Sequence, residues 1–366
     1  MMRPRLFSLS LLLLASCAAL SGKPSSPIYG GRLVDHLIED GEKHFAHLWM
    51  LSDGGENAEA YWSFDGEQLS FQARNQDEGI DCDRIYVTIA NKDVQRAQIS
   101  SGKGTTTCSY FMPDGEAVIY ASTHAQHDNC PEKPESREYV WPIWPQFDIY
   151  VKDLKSDEEK PLIVNPGYDA EATVSPRGDK IVFTSTRSGD LELYTCNLDG
   201  SNIFQVTDEP GYDGGAFFSH SGEWLVFRTT AFDEDKRAEQ LNTYRKLLSQ
   251  WIVKPGRMEI MIVKPDGTER TQVTDLGGAN FAPFFFPDDS KILFSSNHHS
   301  PYVPGKNINF DLFSITPDGQ DLERITTYGK FDSFPMFSPD GRYLAFSSNR
   351  GNSNPGETNI FVAEWR

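Results

Sequence analysis

Six residues stand nine positions before a recurring tight turn: Asn57, Thr106, Asp169, Asp213, Asn280 and Asp332. Nine positions after the same turns stand Asn75, His124, Arg187, Ala231, His298 and Arg350. Carboxylates and amides brought into one ring offer the oxygen ligands that Ca²⁺ favours. Arginine and histidine beside them would present donors to a peptide or an anion. The same residue types would equally serve as struts between repeats, and their recurrence in nearly every repeat favours that use. The candidate binding set is Asn57, Asp169, Asp213, Asn280, Asp332, His124, Arg187, His298 and Arg350. Metal binding stays open: His124 with His127, and His298 with His299, have ligand-type side chains but also the look of exposed loop histidines.

No nucleophile-elbow, HExxH or phosphate-loop pattern occurs, so no catalytic residue is assigned. Four cysteines lie beyond the leader: Cys82, Cys108, Cys130 and Cys196. None has CxxC spacing or a Cys/His spacing that suggests zinc. One disulfide is expected among the first three, with Cys82–Cys130 the chosen pair, because both fall in long loops of adjacent repeats. Cys196 is expected as a buried thiol.

The elements that must position these residues repeat. Six segments share an apolar strand, a Pro-Asp-Gly-like turn and a second apolar strand: YWSFDGEQLSF, YFMPDGEAVIY, TVSPRGDKIVF, FFSHSGEWLVF, FFFPDDSKILF and MFSPDGRYLAF. Their turns centre on Gly66, Gly115, Gly178, Gly222, Asp289 and Gly341, at intervals of 49, 63, 44, 67 and 52 residues. Proline presets φ, aspartate bonds the local backbone, and glycine takes the positive φ. A third strand follows each pair, as in DIYVKDL, ELYTCNL and NIFVAEW, and a short fourth follows most. Four antiparallel strands at this period make a propeller blade, and one blade cannot bury its own faces.

The last repeat ends at NIFVAEW without a fourth strand, while an extra strand, His44 to Leu51, precedes the first. That strand is expected to complete blade six and close the ring, removing an exposed edge. The expected fold is therefore an all-β, six-bladed propeller spanning 44–366, with one helical loop insertion at about 233–252. In that insertion Asp233 is a candidate cap, and Leu241, Tyr244, Leu247, Leu248 and Trp251 recur at helical spacing.

The first seventeen residues, MMRPRLFSLSLLLLASC, carry two arginines and then an apolar run too short to span a bilayer. Leu14-Ala15-Ser16-Cys17 resembles a bacterial lipobox, which implies acylation and cleavage at Cys17. Residues 18–43 then read as a tether, and the absence of Asp after Cys17 favours an outer-membrane address. The 34 basic and 53 acidic residues give a net charge of −19, which disfavours nucleic acid and anionic surfaces as partners.

The motifs FSPDGRYLAFSSNR, PGYDAEATVSPRGDKIVFTSTRSGDLELY and PGETNIFVAEW resemble the TolB-like propellers, the WD40-like Pro-Asp-Gly repeat proteins. The resemblance covers about 44–366 and lacks the N-terminal domain of true TolB. It implies a periplasmic binding scaffold that contacts protein partners.

Loops after the second strands should share one face, at Arg74 to Asp83, Thr123 to Gln146, Arg228 to Arg257, Asn297 to Asn309 and Asn349 to Glu357. Long loops on a rigid scaffold are the usual place for function. The reading is a monomeric, lipid-anchored propeller on the periplasmic side of the envelope, binding a protein or peptide without catalysis. The alternative is a metal-dependent, lactonase-like hydrolase using channel carboxylates. No cofactor is expected beyond a possible calcium ion.

Overall fold

The computed structural model describes residues 24–88, 96–136, 139–300 and 309–366. The leader and Cys17 lie outside the described residues, as do parts of the loops before Gln146 and before Asn309. Five four-stranded sheets and one five-stranded sheet form the six blades. The inner strands are Glu56–Trp62, Thr106–Phe111, Asp169–Val174, Gly214–Phe218, Asn280–Phe285 and Asp332–Phe337. Each pairs antiparallel with the next strand in sequence, and the order then runs outward.

Local chemistry explains why the repeats adopt one geometry. At the tight turns, the Asp65, Asp114 and Asp340 carboxylates accept the amide two residues on, at 3.0, 2.9 and 3.1 Å. Glycine holds the left-handed position, with φ of 73° at Gly66 and 72° at Gly341. Asp289 takes the same conformation, φ 58°, and accepts from the His220 and Ser221 amides of the neighbouring turn. A second device recurs on the outer strands. The hydroxyls of Thr207, Thr274 and Thr326 accept from the third-strand amides of Leu193, Ile260 and Leu312. Facing aromatic pairs, such as Phe183 with Tyr194 and Phe346 with Phe361, join the second and third strands and pack between blades.

Ring closure follows the expectation. Phe45–Met50 pairs with Asn359–Trp365, from Phe45 opposite Trp365 to Met50 opposite Phe361. Phe45 packs on Phe346 and Trp365. The closing strand is also bridged to blade five, where Glu323 meets His44 at 2.9 Å and Lys43 at 2.8 Å.

Three local expectations need correction. Residues 24–43 are not a loose tether. Ile28 and Val34 are buried, Arg32–Leu33 pairs with the closing strand, and Glu42 makes a buried ion pair with Arg350 at 3.0 Å. The loop placed at Arg74 to Asp83 is mostly strand, because Ile80–Thr88 pairs back along Leu69–Asn75. The insertion helix spans Arg237–Leu248 after a single 3-10 turn, Glu234–Lys236, and Asp233 does not cap it. Its carboxylate instead bonds Gln240 at 3.0 Å and Arg257 at 3.3 Å. The helix docks through buried Tyr244, whose hydroxyl donates to Asp190 at 2.5 Å, with Leu241 and Leu248 against the core. No helix among the described residues is long and apolar enough to cross a membrane.

Candidate functional site

The residues nine positions before the turns are at the start of the inner strands, and all are buried. Asn57, Thr106 and Asn280 donate to backbone oxygens of the preceding blade: Thr358 at 2.9 Å, Asp83 at 2.8 Å and Met258 at 2.9 Å. Asp169 pairs with Arg187 at 3.0 Å, Asp213 with Arg270 at 2.7 Å, and Asp332 with Arg350 at 2.7 Å. Arg350 is fully buried between Asp332 and Glu42. In the fold these residues act as struts within and between blades. His124, Arg187 and His298 sit beside them, partly exposed. Ser122 and Ser296 hold the His124 and His298 rings at 2.8 Å, and Glu159 takes the far nitrogen of His124 at 2.9 Å.

A different ring faces the channel. Every inner strand carries a β-bulge, and the bulged residue has positive φ: Glu59, Cys108, Glu171, Gly215, Ala282 and Phe334. In blades three to six it is the one residue of the inner strand that keeps partial exposure. A bulge turns its extra residue out of the ladder and re-aims the side chain. These positions lie seven before the turn centres, and their chemistry breaks the symmetry of the ring. Blades one to four supply two carboxyls, a thiol and a glycine, whereas blades five and six supply methyl and phenyl groups.

Glu171 is fully engaged. Arg228 reaches it at 2.8 Å, the Thr184 hydroxyl at 2.7 Å, the Gly215 amide at 2.9 Å and the Tyr212 hydroxyl at 3.0 Å. Burial alone would raise this carboxyl; the guanidinium and these donors outweigh it and hold it below the ordinary range. The Gly214-Gly215 pair makes room. A Cβ on Gly215 would lie 2.3 Å from the Arg228 guanidinium, and one on Gly214 would lie 2.4 Å from Glu171. Arg228 also stacks over Tyr212 at 4.4 Å and under Trp141 at 5.5 Å.

Glu59 is in the opposite condition. Its Oε2 is shielded from solvent and has no hydrogen-bond partner among the described residues. Burial first, with the Glu171 and Asp83 charges adding, lifts its carboxyl from an ordinary 4.5 to about 7, although the neighbouring Cys108 thiol pulls the other way. Burial and the two nearby glutamates also push Cys108 well above its usual value, which keeps it a thiol rather than a nucleophilic thiolate.

The channel has a floor and a rim. Tyr61 of blade one meets Phe217 of blade four across the axis, with ring centroids 5.3 Å apart, and Tyr110 and Phe284 complete an aromatic plug. On the long-loop face, Cys82 and Cys130 form a disulfide joining the third strand of blade one to the insertion of blade two. Trp141–Pro142 pairs with Ile252–Val253, joining the insertions of blades two and four. Cys196 is a buried thiol. Among the described residues, no group of three or more His, Cys, Asp or Glu side chains is placed to hold a metal ion.

Sequence reasoning missed Glu59, Cys108, Glu171 and Arg228. The signal was available: at seven positions before each turn the residue type varies, and Gly214-Gly215 doubles a small residue inside a strand.

No family model matches the chain. One stretch of 62 residues is 36% identical to an uncharacterised protein of Agrobacterium fabrum, covering 17% of this chain and 21% of that protein. Solved structures match over much more of the chain. A TolB from Agrobacterium tumefaciens aligns over 85% of this chain and 91% of its own, at 18% identity and a TM-score of 0.54. A gluconolactonase from Xanthomonas campestris aligns over 92% and 95%, at 14% identity and 0.55. An oligogalacturonate lyase in complex with manganese aligns over 92% and 96%, at 13% identity and 0.51. At these identities the likeness is one of fold, and the fold of this chain is the TolB-like six-bladed β-propeller.

Proposed function

We propose that this protein is a binding scaffold of the cell envelope, which captures a protein or peptide on its long-loop face without transforming it. One observation carries the reading. The rim over blades one to four is braced across blades by a disulfide and a strand pair, and it exposes aromatic side chains, Tyr139 at 74% and Trp251 at 39%. Rigid exposed aromatics on a preorganised surface are what protein interfaces use as anchors. The shared fold is neutral on this point, since it serves TolB, a lactonase and a lyase alike. We place the protein on the periplasmic side, anchored by acylated Cys17, with the outer membrane preferred.

The test is capture of partners from solubilised membranes by wild type, by Tyr139→Ser with Trp251→Ser, and by Asp199→Ala on the opposite, turn-bearing face. The loop-face variant should lose the captured species and the control should keep it. Equal capture by all three would end the proposal. Cys17→Ala should leave the protein unprocessed or in the soluble fraction; unchanged fractionation would remove the anchor.

A further inference from the structure

We infer that the acidic wall of the channel is a binding site for a single primary ammonium group. The inference rests on the long-loop face being the binding face, and it names what enters the channel beneath it. The bulge ring gathers unlike chemistry on one side, and its two carboxyls differ in what they have. Glu171 already has Arg228, two hydroxyls and an amide. Among the described residues Glu59 makes no ion pair and its shielded Oε2 has no hydrogen-bond partner, while the residue as a whole keeps partial exposure. An unpaired buried acceptor is costly unless a ligand supplies the donor.

The surroundings select the ligand. The groups facing Glu59 are Cys108 from blade two, Glu171 from blade three, Arg228 from blade four and Asp83 from its own blade. With Glu171 and Arg228 cancelling, and Asp83 paired with Arg74 at 3.6 Å, one unit of positive charge completes the site. A divalent ion needs more oxygens than this wall provides. The aromatic plug of Tyr61, Tyr110 and Phe217 sets a blind end whose rings attract a cation and leave no room for a long group beyond it. A chain N-terminus, a lysine tip and a small diamine all carry this ammonium.

The experiment titrates the purified full chain by calorimetry with three probes: trialanine amide, lysine blocked at both ends, and putrescine. The probe that fits should bind at pH 8 and lose about tenfold in affinity per pH unit below 7, because Glu59 must give up its proton first. Glu59→Gln should weaken binding at least tenfold and flatten the pH dependence. Blocked norleucine, which lacks the charge, should not bind. Glu59→Gln should melt at or above the wild-type temperature, which separates a lost site from a lost fold. The inference is overturned if no amine binds at pH 8, if norleucine binds equally, if Glu59→Gln binds like wild type, or if calcium alone shows the Glu59-dependent binding. Partner capture through Tyr139 and Trp251 is a separate readout. Amine failure with intact capture would sink this site and spare the scaffold reading.

Discussion

Replacing Glu59 by glutamine should stabilise the protein, and only at neutral and higher pH. The folded-state carboxyl sits at about 7 against an ordinary 4.5, so the folded chain holds this proton more tightly than the unfolded chain does. The group's favourable contribution is complete below about 4.5 and is lost as pH rises through about 7. A displacement of that size, at about 1.36 kcal/mol per pH unit, costs about 3 kcal/mol once the carboxyl is ionised. The residue keeps partial exposure, which trims the cost, to about 2 kcal/mol at the lower end. Glutamine has the same shape and never ionises. Urea unfolding followed by tryptophan fluorescence should give equal stabilities for both proteins near pH 4. Near pH 8 the variant should lead by about 2–3 kcal/mol. Other titrating groups are common to both chains and cancel in the difference. A difference that stays flat with pH, or a variant less stable than wild type at pH 8, would refute the assignment of Glu59 as an uncompensated buried acid.

Three further outcomes follow from the geometry. Gly215→Ala should cost about 3 kcal/mol or more, because it forces a Cβ to within 2.3 Å of Arg228 at φ 61° and breaks a buried ion pair; thermal melting checks it. Glu42→Ala should cost about 3–5 kcal/mol by leaving Arg350 half-compensated at 0% exposure, and Arg350→Met in the same chain should recover part of it; equal melting of the two variants would refute the pairing. Cys82→Ser with Cys130→Ser should lose about 2–4 kcal/mol, given the 48-residue separation the bond closes, and should make melting insensitive to reductant.

Most of the fold was legible because the turn is local chemistry. A Pro-Asp-Gly turn declares its own backbone, and two apolar strands around it leave little choice of pairing. The closing strand was legible by bookkeeping of strands, since blade six lacked one and the N-terminus had one to spare. Residues 24–43 were misjudged because their anchor is a tertiary contact: Glu42 finds Arg350 across 308 positions, and composition does not show that. The channel residues were missed for a geometric reason. Alternation along an ideal strand sets positions 57, 59 and 61 on one side, and the bulge at 59 breaks that rule. The side chains nine positions before the turn then fall into the blade-to-blade interface, and the bulged residue faces the channel.

The two rings also differ in how residue identity varies, and the reason is physical. A strut must fit the neighbouring blade, and six similar neighbours ask for similar side chains. Asn57 and Asn280 accordingly make the same bond to the preceding blade, and Asp169 and Asp332 make the same bond to an arginine eighteen positions on. A channel position faces the axis rather than the next blade, so the repeat sets no common demand on it. Glu59 and Cys108 stand there in one ring with Ala282 and Phe334, a mixture that no demand of blade packing requires. Within a propeller, then, departure from the repeat is the better guide to binding chemistry, provided that the bulge is counted when the face is assigned. The first ring is polar and periodic, and it holds the blades together. The second is irregular, and among the described residues it contains a carboxyl, Glu59, with one buried oxygen left without a hydrogen-bond partner.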